Sequence, residues 1–265
     1  MKYGFIGAGN LACAIMRGML QNNAARADEI AICEINLKRQ AEICEELGVT
    51  AVLSADELVK NAEVIFLVVK PYQLENVLAE LRDAFALHKP LIVSLAAGKA
   101  VSFVETHAGE GLPIIRVLPN INAAVGESMS WMCGNAHTTQ AHKDTVLHCF
   151  NAIGKTVEID EKLHSIYTTI GASAPAFAYL FIESIAKGAH KAGLNKQQAL
   201  EIAAQTVLGS AKMILESGKH PWELIDQVCS PGGMTIEGVS TLEENRFQSA
   251  VVAAVEATIA KDRRL

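Results

Sequence analysis

Tyr3-Gly4-Phe5-Ile6-Gly7-Ala8-Gly9-Asn10-Leu11-Ala12 is the stretch on which the fold turns. Tyr3–Ile6 reads as a short strand, and G-x-G-x-x-A follows at once, opening a helical pattern over residues 10–21. Gly7 permits the tight turn, Gly9 lets the backbone approach a pyrophosphate, and Ala12 keeps helix and strand close. A helix starting here turns its free N–H groups and the positive end of its dipole toward phosphate. With a second strand about twenty residues later, the motif stands in the context that dinucleotide binding requires. Ile6, Gly7, Ala8, Gly9, Asn10 and Leu11 are therefore candidate cofactor contacts.

The surrounding pattern agrees. Strands are expected at residues 29–33, 63–69, 90–95 and 114–118, with helices at about 36–47, 71–82 and 100–107 between them. Val64-Ile65-Phe66-Leu67-Val68-Val69 is apolar at every position, as befits a strand buried on both faces of a parallel sheet. Strand–helix alternation predicts a doubly wound α/β domain. Beyond about residue 158 the strand signals stop. Two long helices (161–191 and 195–216), divided at Gly193, and a third at 246–263 are expected instead. Their apolar residues, such as Leu200, Ala203, Val207, Leu208, Ala211, Ile214 and Leu215, outnumber what one helical layer can bury. The expected architecture is a Rossmann-like domain over residues 1–157, followed by an all-helical dimerisation and substrate domain over 158–265.

Composition narrows the function classes. The 265 residues are 50% hydrophobic and 20% charged, with a net charge of −6, as in a globular protein with no nucleic-acid partner. The six cysteines lack Cys-x-x-Cys pairing and the eight histidines lack a His-x-x-x-His pair, so free thiols, a reducing cytoplasmic setting and no metal are expected. Lys2 before an apolar stretch imitates a signal segment, but Asn10, Arg17 and three early glycines interrupt it. No run of eighteen apolar residues occurs, so no membrane span is expected.

Four further segments fall at the carboxyl ends of strands, where open α/β sheets bind ligands. Glu34 ends the second strand. A carboxylate there accepts hydrogen bonds from the adenosine ribose and repels a 2′-phosphate, favouring NADH, whereas Asn36, Lys38 and Arg39 nearby could hold a phosphate. NADH and NADPH both stay open. Val69-Lys70-Pro71 ends the strongest strand, with Pro71 expected in the first turn of a helix. The small residues of Ser94-Leu95-Ala96-Ala97-Gly98 would leave room for a nicotinamide ring, and Arg116-Val117-Leu118-Pro119-Asn120 ends another strand. Near the C-terminus, Cys229-Ser230-Pro231-Gly232-Gly233-Met234-Thr235-Ile236 combines flexible glycines, free amides and two hydroxyls at a helix start. Thr235 is expected to cap that helix, and the group suits a carboxylate.

Taken in order, these motifs resemble the pyrroline-5-carboxylate reductase family along the full length of the chain. The matching pieces are Phe5–Asn10, Val69-Lys70-Pro71, Ala96-Ala97-Gly98, Pro119-Asn120, Ala203–Gly209 and Ser230-Pro231-Gly232-Gly233-x-Thr235. The last two are particular to that family. The resemblance implies reduction of L-1-pyrroline-5-carboxylate to L-proline with NADPH or NADH, the last step of proline biosynthesis, by homodimers that often assemble into decamers. It implies substrate contacts from Glu161, Ser173, Gly233, Met234 and Thr235, cofactor contacts from Lys70 and Ala97, and catalytic roles for Thr235 at the ring nitrogen and Ser230 at the carboxylate. The chain departs from the family in three places, one of them Tyr167-Thr168, where the family has Val-Thr. Gly171-Ala172-Ser173-Ala174-Pro175 replaces two flexible glycines by alanines, and Glu34 replaces a small polar residue.

Two other readings remain at this level. A β-hydroxyacid dehydrogenase shares the domain plan and needs a lysine with an asparagine one turn later; Lys191 and Asn195 have the spacing, but Gly193 intervenes. A non-catalytic dinucleotide sensor would not need the Ser230–Thr235 loop.

Overall fold

The computed structural model describes residues 1–264. Among them, eight strands make one sheet: β1 (Tyr3–Ile6), β2 (Ile30–Cys33), β3 (Thr50–Ala51), β4 (Val64–Leu67), β5 (Leu91–Ser94), β6 (Ile114–Leu118), β7 (Ser128–Gly134) and β8 (Gly154–Glu158). The spatial order is β3-β2-β1-β4-β5-β6-β7-β8. All pairs are parallel except β6 with β7. The chain winds outward from β1 to β3, returns to the other side of β1 at β4, and winds away again. This reversal opens a crevice at the carboxyl ends of β1 and β4, the place where doubly wound folds bind ligands.

The helices on this framework are α1 (Asn10–Gln21), α2 (Leu37–Leu47), α3 (Ala55–Asn61), α4 (Leu74–Glu80), α5 (Arg82–His88), α6 (Val101–Ala108), α7 (Gln140–Asn151) and α8 (His164–Thr168). Burial explains the strand patterns. Phe5, Ile32, Phe66, Val93 and Val117 face one core, together with Ile15 and Met16 of α1 and Phe150 of α7. Ala31, Ile65, Leu67, Ile92 and Ile114 face the other, with Leu58 of α3, Leu74 of α4 and Phe85 of α5. Alternate residues thus serve opposite cores, so β1, β2 and β4 carry no charged residue and read as continuously apolar. Phe5 and Phe66 stack at 4.5 Å between ring centroids. In α1, Ala12, Ile15, Met16 and Met19 are buried at the spacing of a single helical face. Gly18 on that helix lies so close to the chain at residues 152–153 that a Cβ would sit 3.0 Å from the Ala152 carbonyl oxygen.

The chain separates into two compact units, Met1–Ala172 and Ser173–Arg264. Residues 158–172 pack with the first: Ile159 and Tyr167 lie against its core, and Ser165, Thr169 and Gly171 are buried. The second unit contains α9 (Ala174–Lys191), α10 (Lys196–Ser217), α11 (Pro221–Val228), α12 (Met234–Glu244) and α13 (Phe247–Asp262). Ala186 on α9 packs with Ala199 and Ala203 on α10, small residues that let the helices approach. Outside that seam the unit leaves Leu180, Ile202, Leu208, Leu215 and Val252 exposed. Exposed apolar side chains in such number suit a helical domain that pairs with a partner.

Several expectations are corrected here. Strands β3, β7 and β8 and helices α3, α5, α7 and α11 carry weak patterns and were not anticipated. Strand β4 ends at Leu67, because Val68 turns out of the sheet while its amide still donates to the Ile6 carbonyl at 2.9 Å. Pro71 stands in a turn; α4 begins only at Leu74. The single helix expected over 161–191 is broken. A 3-10 turn (Glu161–Leu163) precedes α8, and a π-helical turn (Thr169–Ser173) precedes α9. By length and mean hydropathy (1.3), Glu161–Lys191 could cross a bilayer, although it holds no run of eighteen apolar residues.

The π turn has a chemical cause. Pro175 has no N–H, so the Gly171 carbonyl lacks its regular helical donor. Asn120 Nδ2 supplies one at 2.8 Å.

Candidate active site

The crevice at the β1/β4 switch point is a cleft of about 640 Å³. Ile6, Gly7, Gly9, Asn10, Leu11, Glu34, Val69 and Lys70, all anticipated, line it. Ala8, Asn36, Pro71 and Ala97 do not. Ala8 is fully buried beneath the loop, and Asn36 caps α2 by accepting the Arg39 amide at 3.1 Å. Pro71 is in its turn, and Ala97 is exposed beyond β5. The lining also includes residues not anticipated, notably Cys33, Ile35, Gln73, Val77 and Leu95. Cys33, Ile35 and Leu95 stand at the ends of β2 and β5, whereas Gln73 and Val77 come from the N-cap and body of α4.

Gly7 adopts φ +90°, and a Cβ there would meet the Val68 carbonyl oxygen at 2.6 Å. Only glycine suits that turn. Gly9 is different: no atom lies within 4 Å of where its Cβ would be, and it faces the cleft. Gly9 is also the N-cap of α1; no side chain caps this helix end, and its first turn holds no acidic residue. Open space against the backbone, beside uncapped amides and the positive end of a helix dipole, fits the pyrophosphate of a dinucleotide.

Glu34 is held firmly at the mouth of this loop. Its Oε2 accepts the Ala8 amide at 2.8 Å and its Oε1 accepts the Asn36 amide at 3.0 Å, while its own amide donates to Gln40 Oε1 at 2.7 Å. Burial first, and the neighbouring Glu34 charge second, push the Cys33 thiol up from its ordinary value, so Cys33 lines the cleft as a neutral group. Lys70 is exposed at the end of β4, its amide donating to Gln73 Oε1 at 3.3 Å.

Glu161 belongs to a second cluster in the same unit. Its Oε1 accepts from Arg116 Nη1 at 2.9 Å and from the Val101 amide, at the start of α6, at 3.0 Å. The Arg116 guanidinium is buried and lies 4.9 Å from the centroid of the Trp131 ring. Oε1 of Glu161 thus serves both an ion pair and a helix start.

The remaining anticipated residues are in the second unit. Gly232 takes φ +70°, and the Gly233 amide donates to the Ser230 carbonyl at 3.0 Å. Helix α12 starts at Met234 with Gly233 as its N-cap, and no side chain caps it. Thr235 is therefore inside the first turn instead of capping it, which leaves its hydroxyl and the first amides available to a ligand. Met234 is almost wholly exposed. Ser173 closes the π turn ahead of α9. Lys191 ends α9, whereas Asn195 caps α10 by accepting the Gln197 amide at 2.9 Å. The two residues therefore do not share a helix, and the lysine–asparagine pair of a β-hydroxyacid dehydrogenase is not formed.

A pyrroline-5-carboxylate reductase from Escherichia coli K12 is 37% identical over 265 residues, covering 100% of this chain and 98% of the relative. The chain belongs to the pyrroline-5-carboxylate reductase family. Residues 161–265 match the model described as pyrroline-5-carboxylate reductase dimerisation, and residues 2–98 match one described as NADP oxidoreductase, coenzyme F420-dependent. A pyrroline-5-carboxylate reductase structure from Coxiella burnetii superimposes with a TM-score of 0.95 at 28% identity, covering 99% of this chain and 97% of that one. The enzyme from Plasmodium falciparum, solved with NADP bound, gives 0.86 at 30% identity and covers 100% and 97%. Family membership brings a Rossmann-like domain, a helical dimerisation domain and NAD(P)H-dependent oxidoreductase character together in one chain.

Proposed function

We propose that this chain reduces L-1-pyrroline-5-carboxylate to L-proline with NADPH or NADH, completing proline biosynthesis in the cytoplasm. The observation that carries the reading is the full-length match at 37% identity, which spans the dinucleotide loop and the Ser230–Thr235 loop alike.

When bound, the reduced nicotinamide supplies the hydride. Everything else is positioning and electrostatics, and it falls to the chain's own residues. Gly7, Gly9 and the first turn of α1 would hold the pyrophosphate; Glu34, Val69 and Lys70 would flank the rest of the cofactor, with Asn36 and Pro71 shaping the turns next to them. The substrate is a cyclic imine bearing a carboxylate. The Gly233-Met234-Thr235 segment, through the free amides of Met234 and Thr235 and with the Ser230 hydroxyl, would hold that carboxylate at the α12 start. The Thr235 hydroxyl hydrogen-bonds the ring nitrogen. Hydride adds to the imine carbon and a proton to the nitrogen, giving a secondary amine. A substrate that arrives protonated needs no strong acid, and a threonine hydroxyl is not one.

The helical domain, 158–265 by sequence, forms a homodimer through its exposed apolar faces, and dimers assemble into decamers. Light scattering of the purified protein would report either species. The reaction is tested by mixing the protein with pyrroline-5-carboxylate and either cofactor. Loss of nicotinamide absorbance matched by proline formation supports the proposal. Cofactor binding without consumption would overturn it in favour of a dinucleotide sensor.

A further inference from the structure

We infer that Glu34 makes the cleft selective for NADH over NADPH, resting on the reading of that cleft as the dinucleotide site. The residue is at the end of β2, where the adenosine ribose of a dinucleotide lies in a doubly wound fold. Its carboxylate is pinned, not merely nearby: Ala8 and Asn36 amides hold one oxygen each at 2.8 and 3.0 Å, and Gln40 fixes its backbone. Two carboxylate oxygens offer about four acceptor positions. The two left over suit the 2′- and 3′-hydroxyls of a ribose. A 2′-phosphate in the same place would set like charges against each other. Swinging Glu34 aside would strip the Ala8 amide of its acceptor, so the loop resists that escape.

The cations that could neutralise a phosphate are directed elsewhere. Arg39 reaches Glu42 at 3.5 Å and the Cys13 sulfur at 3.6 Å, and it lines a neighbouring hollow instead of the cleft. Lys38 lines neither. Lys70 is the only cation among the residues lining the cleft, and it stands on the β4 side with Glu80 also present.

The test measures binding without substrate. Titration calorimetry of the full-length protein with NADH and with NADPH is expected to give an NADH affinity at least about tenfold higher. In Glu34→Gln that ratio is expected to fall about tenfold, chiefly through tighter NADPH binding. Equal affinities in the unaltered protein, or an unchanged ratio in the variant, would overturn the inference. Should the variant not fold, competition in the unaltered protein decides. Displacement of NADH by 5′-ADP more readily than by 2′,5′-ADP supports selectivity, and the reverse order refutes it. Because no imine is present, failure to reduce pyrroline-5-carboxylate would sink the proposed reaction and leave this inference standing.

Discussion

Arg116 Nη1 donates to Glu161 Oε1 across 2.9 Å, joining the middle of β6 to the turn that leads into α8. Removing one partner of a buried pair leaves the other charged and unpaired. Glu161 is partly exposed, so the lower part of the usual range applies. Glu161→Ala is expected to cost about 2–4 kcal/mol, and Glu161→Gln, which can still accept the Val101 amide, less. Urea unfolding of both variants measures this. A large change in the Michaelis constant for pyrroline-5-carboxylate with stability unaltered would instead assign Glu161 to substrate contact.

Gly7→Ala should damage the dinucleotide loop in two ways. The backbone at φ +90° is unfavourable for alanine, and its Cβ would press on the Val68 carbonyl at 2.6 Å. A loss of roughly 1–3 kcal/mol in stability is expected, with NADH affinity down about tenfold or more. Thermal melting and cofactor titration read the two effects separately.

Asn120 donates to the Gly171 carbonyl that Pro175 leaves unserved, and its Oδ1 also accepts the Asn122 amide at 2.9 Å. Asn120→Ala is expected to destabilise the chain by about 1–3 kcal/mol. Chemical denaturation checks it. A cost near zero would mean that the π turn finds another donor.

Thr235→Ala is expected to lower kcat/KM for pyrroline-5-carboxylate about tenfold to a hundredfold, the worth of one positioned hydrogen bond to a charged centre. Steady-state kinetics with pyrroline-5-carboxylate varied at saturating cofactor gives the figure, and unchanged values would remove Thr235 from the mechanism.

Stability should decline at alkaline pH. Burial pushes the thiols of Cys133 and Cys149 from 9.0 up to about 12. Between those values the unfolded chain releases protons that the folded chain keeps, so the unfolded state is favoured as pH rises. The stabilisation is complete below pH 9 and is lost on approach to about 12. Melting temperatures from pH 8 to 11 test the slope. Cys149→Ala should flatten it, whatever it does to the melting temperature at pH 7.

Much of the fold was legible in the residue order. The G-x-G-x-x-A loop, the all-apolar β4, Gly193 and the Ser230–Thr235 loop are local signals: backbone freedom at glycine, hydrophobic periodicity and amide-rich turns act within a few residues. Strands β7 and β8 escaped because Ser128, Ser130 and Thr156 are polar yet buried, so their pattern is not that of an apolar strand. The break before α9 escaped because its small and hydroxyl-bearing residues are compatible with a helix, and the π turn follows from the missing N–H of Pro175 and the bond from Asn120 to Gly171.

By itself, then, the sequence determined a doubly wound domain with a phosphate loop at its first turn, an apolar helical domain after it in the chain, and the family to which both belong. Only the tertiary structure decided that Glu34 closes on Ala8, that Asn120 serves Gly171 and that Glu161 is taken up by Arg116. Each of these joins residues 26 to 51 positions apart. Periodicity reports which face of an element is buried. Which polar groups finally meet depends on strand register, crossover geometry and side-chain rotamers, and those are set only when the whole chain has packed.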